Sequence, residues 1–152
     1  MNQIISYLRA NQGKLVLHLI ETVRSQPEKF PLYSKLEDSA LYQRAAFAID
    51  KTLGSIEKGE FDDAKNTIDR IFGARLRTGF EPNELIRAIS LITDSIRDVI
   101  LSVPAELNQH TLYLQRVNAV DQVIKMYIAM LNLSIPKEER NEVDLALLEF
   151  AI

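Results

Sequence analysis

The chain contains no cysteine, which removes disulfides, thiolate metal sites and thiol nucleophiles together. Glycine and proline are scarce, five of each in 152 residues, and most stand where a helix would stop or start. An excess of basic residues is lacking too. The formal charge of -3 and pI near 5.4 provide no general basic field, so nucleic-acid binding is not expected as the main task. No apolar run reaches the roughly 20 residues that a membrane span requires. The opening MNQIISYLRANQGK has no basic segment followed by an apolar stretch, so no secretory signal is expected, and the cytoplasm is the expected location. No G-x-S-x-G, H-E-x-x-H, Walker-type loop or G-x-G-x-x-G can be found, so no enzymatic function is expected.

What remains is apolar and charged in ordinary proportion, 47% and 26%, as in a soluble globular domain. A chain of this length forms one domain, burying roughly two-thirds of the surface its unfolded form exposes. Apolar residues recur at three-and-four spacing throughout, with no alternating run long enough for a sheet, and this predicts an all-α fold. The first helix is expected over 2–26, with Ile4, Leu8, Leu15, Leu19 and Val23 along one side and Gly13 as a possible bend. Pro27 and Pro31 bracket a loop. The second helix is expected over 39–58, carrying Leu41, Ala45, Ala48, Ile49, Leu53 and Ile56, and ending at Gly59, where a positive φ costs little.

The third, over 61–78, presents Phe61, Ala64, Ile68, Ile71, Phe72 and Leu76 and stops at Gly79. Pro82 suits the first turn of the fourth, because its missing N–H has no intrahelical partner to lose, and Glu84 complements the positive helix start. Leu85, Ile89, Ile92, Ile96, Val99 and Val103 then step by four and three, and Ile86, Leu91 and Ile100 broaden the apolar surface.

After Pro104 the longest helix, over 106–134, would span roughly 40 Å. Leu114, Val117, Val120, Ile124, Ile128 and Leu131 are placed to face the core, and Val123, Tyr127 and Met130 form a second flank. Two apolar flanks admit two readings: cover by the first helix and the tail of the same chain, or a helix of a second copy. On the second reading the homodimer interface lies among Val117, Val120, Ile124, Tyr127, Ile128 and Leu131. Beyond Pro136, KEERNEVDLALLEFAI passes from charge to Val143, Leu145, Leu147, Leu148, Phe150 and Ile152. The expected division is a helical domain over 1–135 and a linker or docking helix over 136–152.

Candidate chemistry is sparse. His18, between Leu17 and Leu19, reads as a partly buried structural histidine, and His110 as a residue in the exposed first turn of the long helix. Their separation suggests no metal site. The carboxylates fall in solvated runs such as Asp62 with Asp63 and Glu138 with Glu139. Arg70, Arg75 and Arg77, with Arg87 on the next helix, gather around the corner at Gly79. There they pair with acids such as Glu81 and Glu84, or join the free N–H groups of the fourth helix in holding an anion. Phe61, Phe72 and Phe80 read chiefly as core. The candidate ligand contacts are Phe72, Arg75 and Phe80.

The corner itself, ARLRTGFEPNELIRAI over 74–89, resembles that of globin-coupled sensors, in which a haem-ligating histidine is followed by x-x-x-Gly-apolar-x-Pro and a long helix. Gly79, Phe80 and Pro82 match it, but Arg75 stands at the ligand position. A guanidinium stays protonated and does not ligate haem iron, so no cofactor is expected. The globin-like corner, the missing histidine and the long final helix resemble the N-terminal sensor domains of stressosome proteins of the RsbR and RsbRD type. This resemblance implies a cytoplasmic, haem-free, globin-like bacterial sensor domain of about five to six helices, dimeric through its last helices and signalling to a STAS-type output domain or a stressosome partner in a stress response. An up-and-down bundle of four or five helices is the alternative fold. The alternative functions are a haem- or small-molecule-binding sensor using His18 or His110, and a protein-interaction adaptor without a ligand. An apolar void lined by the third, fourth and fifth helices would favour a sensor, and a filled interior an adaptor.

Overall fold

The computed structural model describes residues 3–140, with only the backbone for 62–68. Among the described residues the structure is all helical: α1 (Gln3–Ala10), α2 (Gln12–Ser25), α3 (Asp38–Lys58), α4 (Asp62–Arg77), α5 (Pro82–Ser102) and α6 (Leu107–Ser134). Two short 3-10 turns, Tyr33–Lys35 and Lys137–Glu139, complete it. The expected docking helix over 136–152 lies, from 141 onward, outside the described residues.

The first expected helix is in fact two. The break falls at Asn11 (φ -99°, ψ 6°) rather than at Gly13. The Asn11 side-chain amide and its backbone N–H both donate to the Tyr7 carbonyl, at 2.8 and 3.0 Å. A short amide side chain that takes its own helix's carbonyl offers the backbone an alternative to continuing straight. Beyond this break, the expected ends of the helices agree with the observed ones to within a residue or two. Gly59 (φ 69°) closes α3 and Gly79 (φ 107°) follows α4, the two positions where a side chain would oppose the required backbone.

Helix pairing among the described residues is not simply sequential. α6 lies along α5 and also packs on α4 and α3, α2 packs on both α3 and α5, and α1 touches α5. The shared core is built from Ile4, Leu8, Ile49, Leu53, Ile56, Leu76, Phe80, Leu85, Ile96, Ile100 and Ile128, each with under 2% exposure. By burying both α5 and one side of α6, this arrangement leaves the inner wall of α4 facing α3. The candidate site lies there.

Candidate ligand site

Arg75 is set by the corner that follows it. The Phe80 N–H donates to the Arg75 carbonyl at 3.0 Å and the Gly79 N–H to the Leu76 carbonyl at 3.3 Å. These are the six-to-one and five-to-two bonds of a Schellman motif, which needs a positive φ at its glycine. The Thr78 N–H and Oγ1 also donate to the Arg75 carbonyl, at 3.2 and 2.9 Å. With the end of α4 tied down, the side chain at 75 points inward. Arg75 is 8% exposed, while Arg70, Arg77 and Arg87 stay at the surface. Of the four arginines gathered in sequence, one is a buried cation. Arg87 donates to the Lys29 carbonyl, at 3.3 Å.

Around Arg75 there is little to balance its charge. Its Nη1 donates to the Tyr33 hydroxyl at 2.7 Å. Its guanidinium carbon lies 5.6 Å from the Phe72 ring centroid and 5.5 Å from that of Tyr33, near enough for each ring's electron density to stabilise the charge modestly. No carboxylate among the described residues forms an ion pair with it, and its Nε is buried without a partner. A buried charge without an opposite charge is costly.

Two cavities meet at this side chain. The larger, about 340 Å³, has its apolar floor on Ile71, Phe72, Ile89, Val120 and Ile124 and a rim of exposed charged residues that includes Asp50, Lys51, Glu57 and Lys58. Its volume is typical of a small-molecule site, and a mostly apolar wall with one placed polar group is the usual composition. The smaller, about 50 Å³, is lined by Leu19, Val23, Tyr33, Leu41 and Ile92 among others. Arg44, Ala48, Phe72, Arg75 and Ile89 wall both. The partition between the two spaces thus carries two guanidinium groups and one phenyl ring.

Tyr33 is held from behind. Glu84, 1% exposed, accepts the Tyr33 N–H at 2.8 Å and the Leu32 N–H at 2.9 Å on the same oxygen, Oε2. This carboxylate therefore does more than complement its own helix start, because it fixes a loop 51 residues earlier in the chain. Burial raises the Glu84 pKa above the usual carboxylate range, and the two backbone donors partly offset this. Burial also raises the Tyr33 phenol, against the lowering effect of Arg75, so the hydroxyl keeps its proton at neutral pH. From the other side, Arg24 grips the Ser34 and Leu36 carbonyls and Asp38.

Of the three candidate ligand contacts, Phe72 and Arg75 line both cavities and Phe80 lines neither. Phe80 packs against Tyr33 with the rings tilted by 53° and their centroids 4.7 Å apart. His18 is exposed on α2 rather than partly buried, because the face of α2 that meets the core carries Leu15, Val16, Leu19 and Val23. His110 is half-buried, its Nε2 2.7 Å from the Val103 carbonyl. Neither histidine lines a cavity. Among the described residues no group of three or more His, Asp or Glu is placed to hold a metal. Sequence reasoning missed Tyr33 and Arg44, and placed Glu84 only at its own helix start and beside the corner arginines. Their roles depend on partners far along the chain, and the only local hint was a lone tyrosine after Pro31.

The expected dimer face needs correction. Val117, Val120, Ile124 and Ile128 are 0–7% exposed within one chain, covered by α5, α4 and α3 as α6 crosses them, so they are not available to a second copy. Tyr127 and Leu131 are half-buried against the same core. The outward face of α6 carries Met126 and Met130, each 54% exposed, and Leu133, 87% exposed.

No family model matches the chain, and neither the curated proteins nor the solved structures contain a significant match. No helix of the described residues is long and apolar enough to cross a membrane.

Proposed function

We propose that this chain is a non-catalytic, haem-free sensory domain whose cavity binds a small apolar monocarboxylate. The observation that carries this reading is Arg75, a buried cation without a carboxylate partner among the described residues, in the wall of a 340 Å³ cavity with an apolar floor. A ligand carboxylate would supply the missing opposite charge, and its apolar body would cover Phe72, Ile89, Val120 and Ile124. The position also suits a globin-like relative that has given up iron. Neither histidine reaches the cavity, which disfavours the haem-binding alternative, and the void itself disfavours a solid adaptor.

Signalling in this reading passes through a homodimer joined along the outer face of α6. Val123, Met126, Met130 and Leu133 follow one another by three, four and three residues, the spacing of a helix-to-helix seam. A ligand that favours one packing of α4 against α6 shifts the population of dimer arrangements, and the change is handed to a STAS-type output domain or stressosome partner in a bacterial cytoplasm. Calorimetric titration with decanoate tests the site: saturable binding to the intact chain is expected, and its loss in Arg75→Met. A chain that takes up no apolar carboxylate, or a purified protein carrying haem, would end this reading.

A further inference from the structure

We propose that Tyr33 is the second donor of this anion site, its hydroxyl proton and the Arg75 guanidinium together holding the two oxygens of a carboxylate that enters the smaller chamber. The inference rests on the reading just given, because it presumes that the cavity takes a carboxylate.

The argument begins with the hydrogen-bonding capacity of a phenol, which has one proton to donate and lone pairs that accept. The Tyr33 oxygen accepts from Arg75 Nη1 at 2.7 Å. Its own proton has no acceptor among the described residues, although Tyr33 is only 6% exposed. The phenol is kept protonated by burial, so this donor persists at neutral pH. Arg75 Nε, also buried, is likewise unsatisfied. Two unsatisfied donors thus belong to side chains, already bonded to each other, that both line one small pocket of about 50 Å³. A buried donor left unmatched is destabilising, and a carboxylate has two oxygens to match two donors.

The larger cavity continues from the same residues. Phe72, Ile89 and Ala48 border both spaces, so a carboxylate seated between Tyr33 and Arg75 leads its chain past the Phe72 ring into the 340 Å³ space. The same placement joins the ligand to the rest of the fold. The Tyr33 backbone is bonded to Glu84 in the first turn of α5, so a hydrogen bond at the phenol bears on the start of that helix within one residue.

The test uses decanoate and decanol, which share a chain and differ in the headgroup, on the intact protein and on Tyr33→Phe. Substitution by phenylalanine keeps the ring against Phe80 and removes only the hydroxyl. Wild-type protein is expected to prefer decanoate to decanol. Tyr33→Phe is expected to lose about tenfold in decanoate affinity, as for one charge-assisted hydrogen bond, with decanol binding unchanged. Because the chain has no tryptophan, its near-ultraviolet circular dichroism comes from tyrosine and phenylalanine, and decanoate should perturb a tyrosine band that Tyr33→Phe lacks. An unchanged decanoate-to-decanol ratio in Tyr33→Phe overturns the proposal. Binding of decanol but not decanoate to wild type overturns both this proposal and the carboxylate reading it rests on. If neither probe binds, both fall.

Discussion

Glu84 Oε2 lies 2.8 Å from the amide nitrogen of Tyr33, although the two residues are on separate elements. Replacing Glu84 by alanine leaves the Leu32 and Tyr33 amides buried without acceptors and should cost about 3 kcal/mol, on the scale of one to two unsatisfied donors. Urea unfolding measures this, and a loss below about 1 kcal/mol would mean that water replaces the carboxylate.

The same carboxyl makes stability depend on pH. Burial lifts its folded pKa above the unfolded value, so between the two values the folded chain holds the extra proton. By linkage, the Glu84 contribution is fully present below the unfolded value of about 4.3 and declines as pH rises through the folded one. Glu84→Gln should remove this component. The difference in stability between wild type and variant should then vary with pH above about 4.3 and become constant below it. A difference that stays flat across the range would show that Glu84 titrates alike in both states.

The glycines make a contrasting pair. A Cβ on Gly59 would meet the Arg116 guanidinium carbon at 3.0 Å and would stand at φ 69°. Arg116 in turn donates to the Ile56 and Glu57 carbonyls at the end of α3. Gly59→Ala should therefore cost at least about 1 to 2 kcal/mol, from backbone strain alone. Gly13 sits inside α2 with nothing within 4 Å of an added Cβ, and Gly13→Ala should stabilise by about 0.5 to 1 kcal/mol. Thermal melts of both variants check the two signs together.

How far these features could be read from the sequence follows from how local their causes are. The corner at Gly79 and Pro82 was legible because a Schellman glycine and a first-turn proline act within a few residues. Helix periodicity likewise gave α3, α5 and α6 nearly to their ends. The break at Asn11 was not legible, because a side-chain amide competing for one carbonyl leaves no signature in the apolar spacing. Glu84 was read against its own helix start and as a partner for the corner arginines, since its partners at 32 and 33 become neighbours only through tertiary packing. For α6, periodicity gave the apolar flanks but not which helix covers each. Val117, Val120, Ile124 and Ile128 were assigned to a dimer on one reading and are core in the fold. Arg75 was singled out for the ligand it fails to supply, and its inward orientation emerged only with the cavity.

The revised α6 face yields a separation of effects. Ile124→Ala truncates a side chain that is 7% exposed, and should cost about 2 to 5 kcal/mol of stability. Met130→Glu, at a position 54% exposed, should leave monomer stability within about 0.5 kcal/mol while abolishing association seen by sedimentation. Retention of a dimer in Met130→Glu would place the contact elsewhere.

Arg75 carries a conflict between stability and ligand binding. Its charge is countered by one phenol and two ring faces, and among the described residues its Nε has no partner. Methionine has a similar length, packs readily against Phe72 and brings no charge indoors. Replacing buried ionic groups by apolar ones of similar volume is often neutral or stabilising, by about 1 to 4 kcal/mol. Arg75→Met should therefore be at least as resistant to urea as wild type and yet bind decanoate no better than decanol. A residue retained only for packing would behave in the opposite way: the methionine variant would be less stable and the preference for the carboxylate would persist. Measuring unfolding and the decanoate-to-decanol ratio on the same variant therefore decides whether the buried cation is kept for the fold or for what the fold binds.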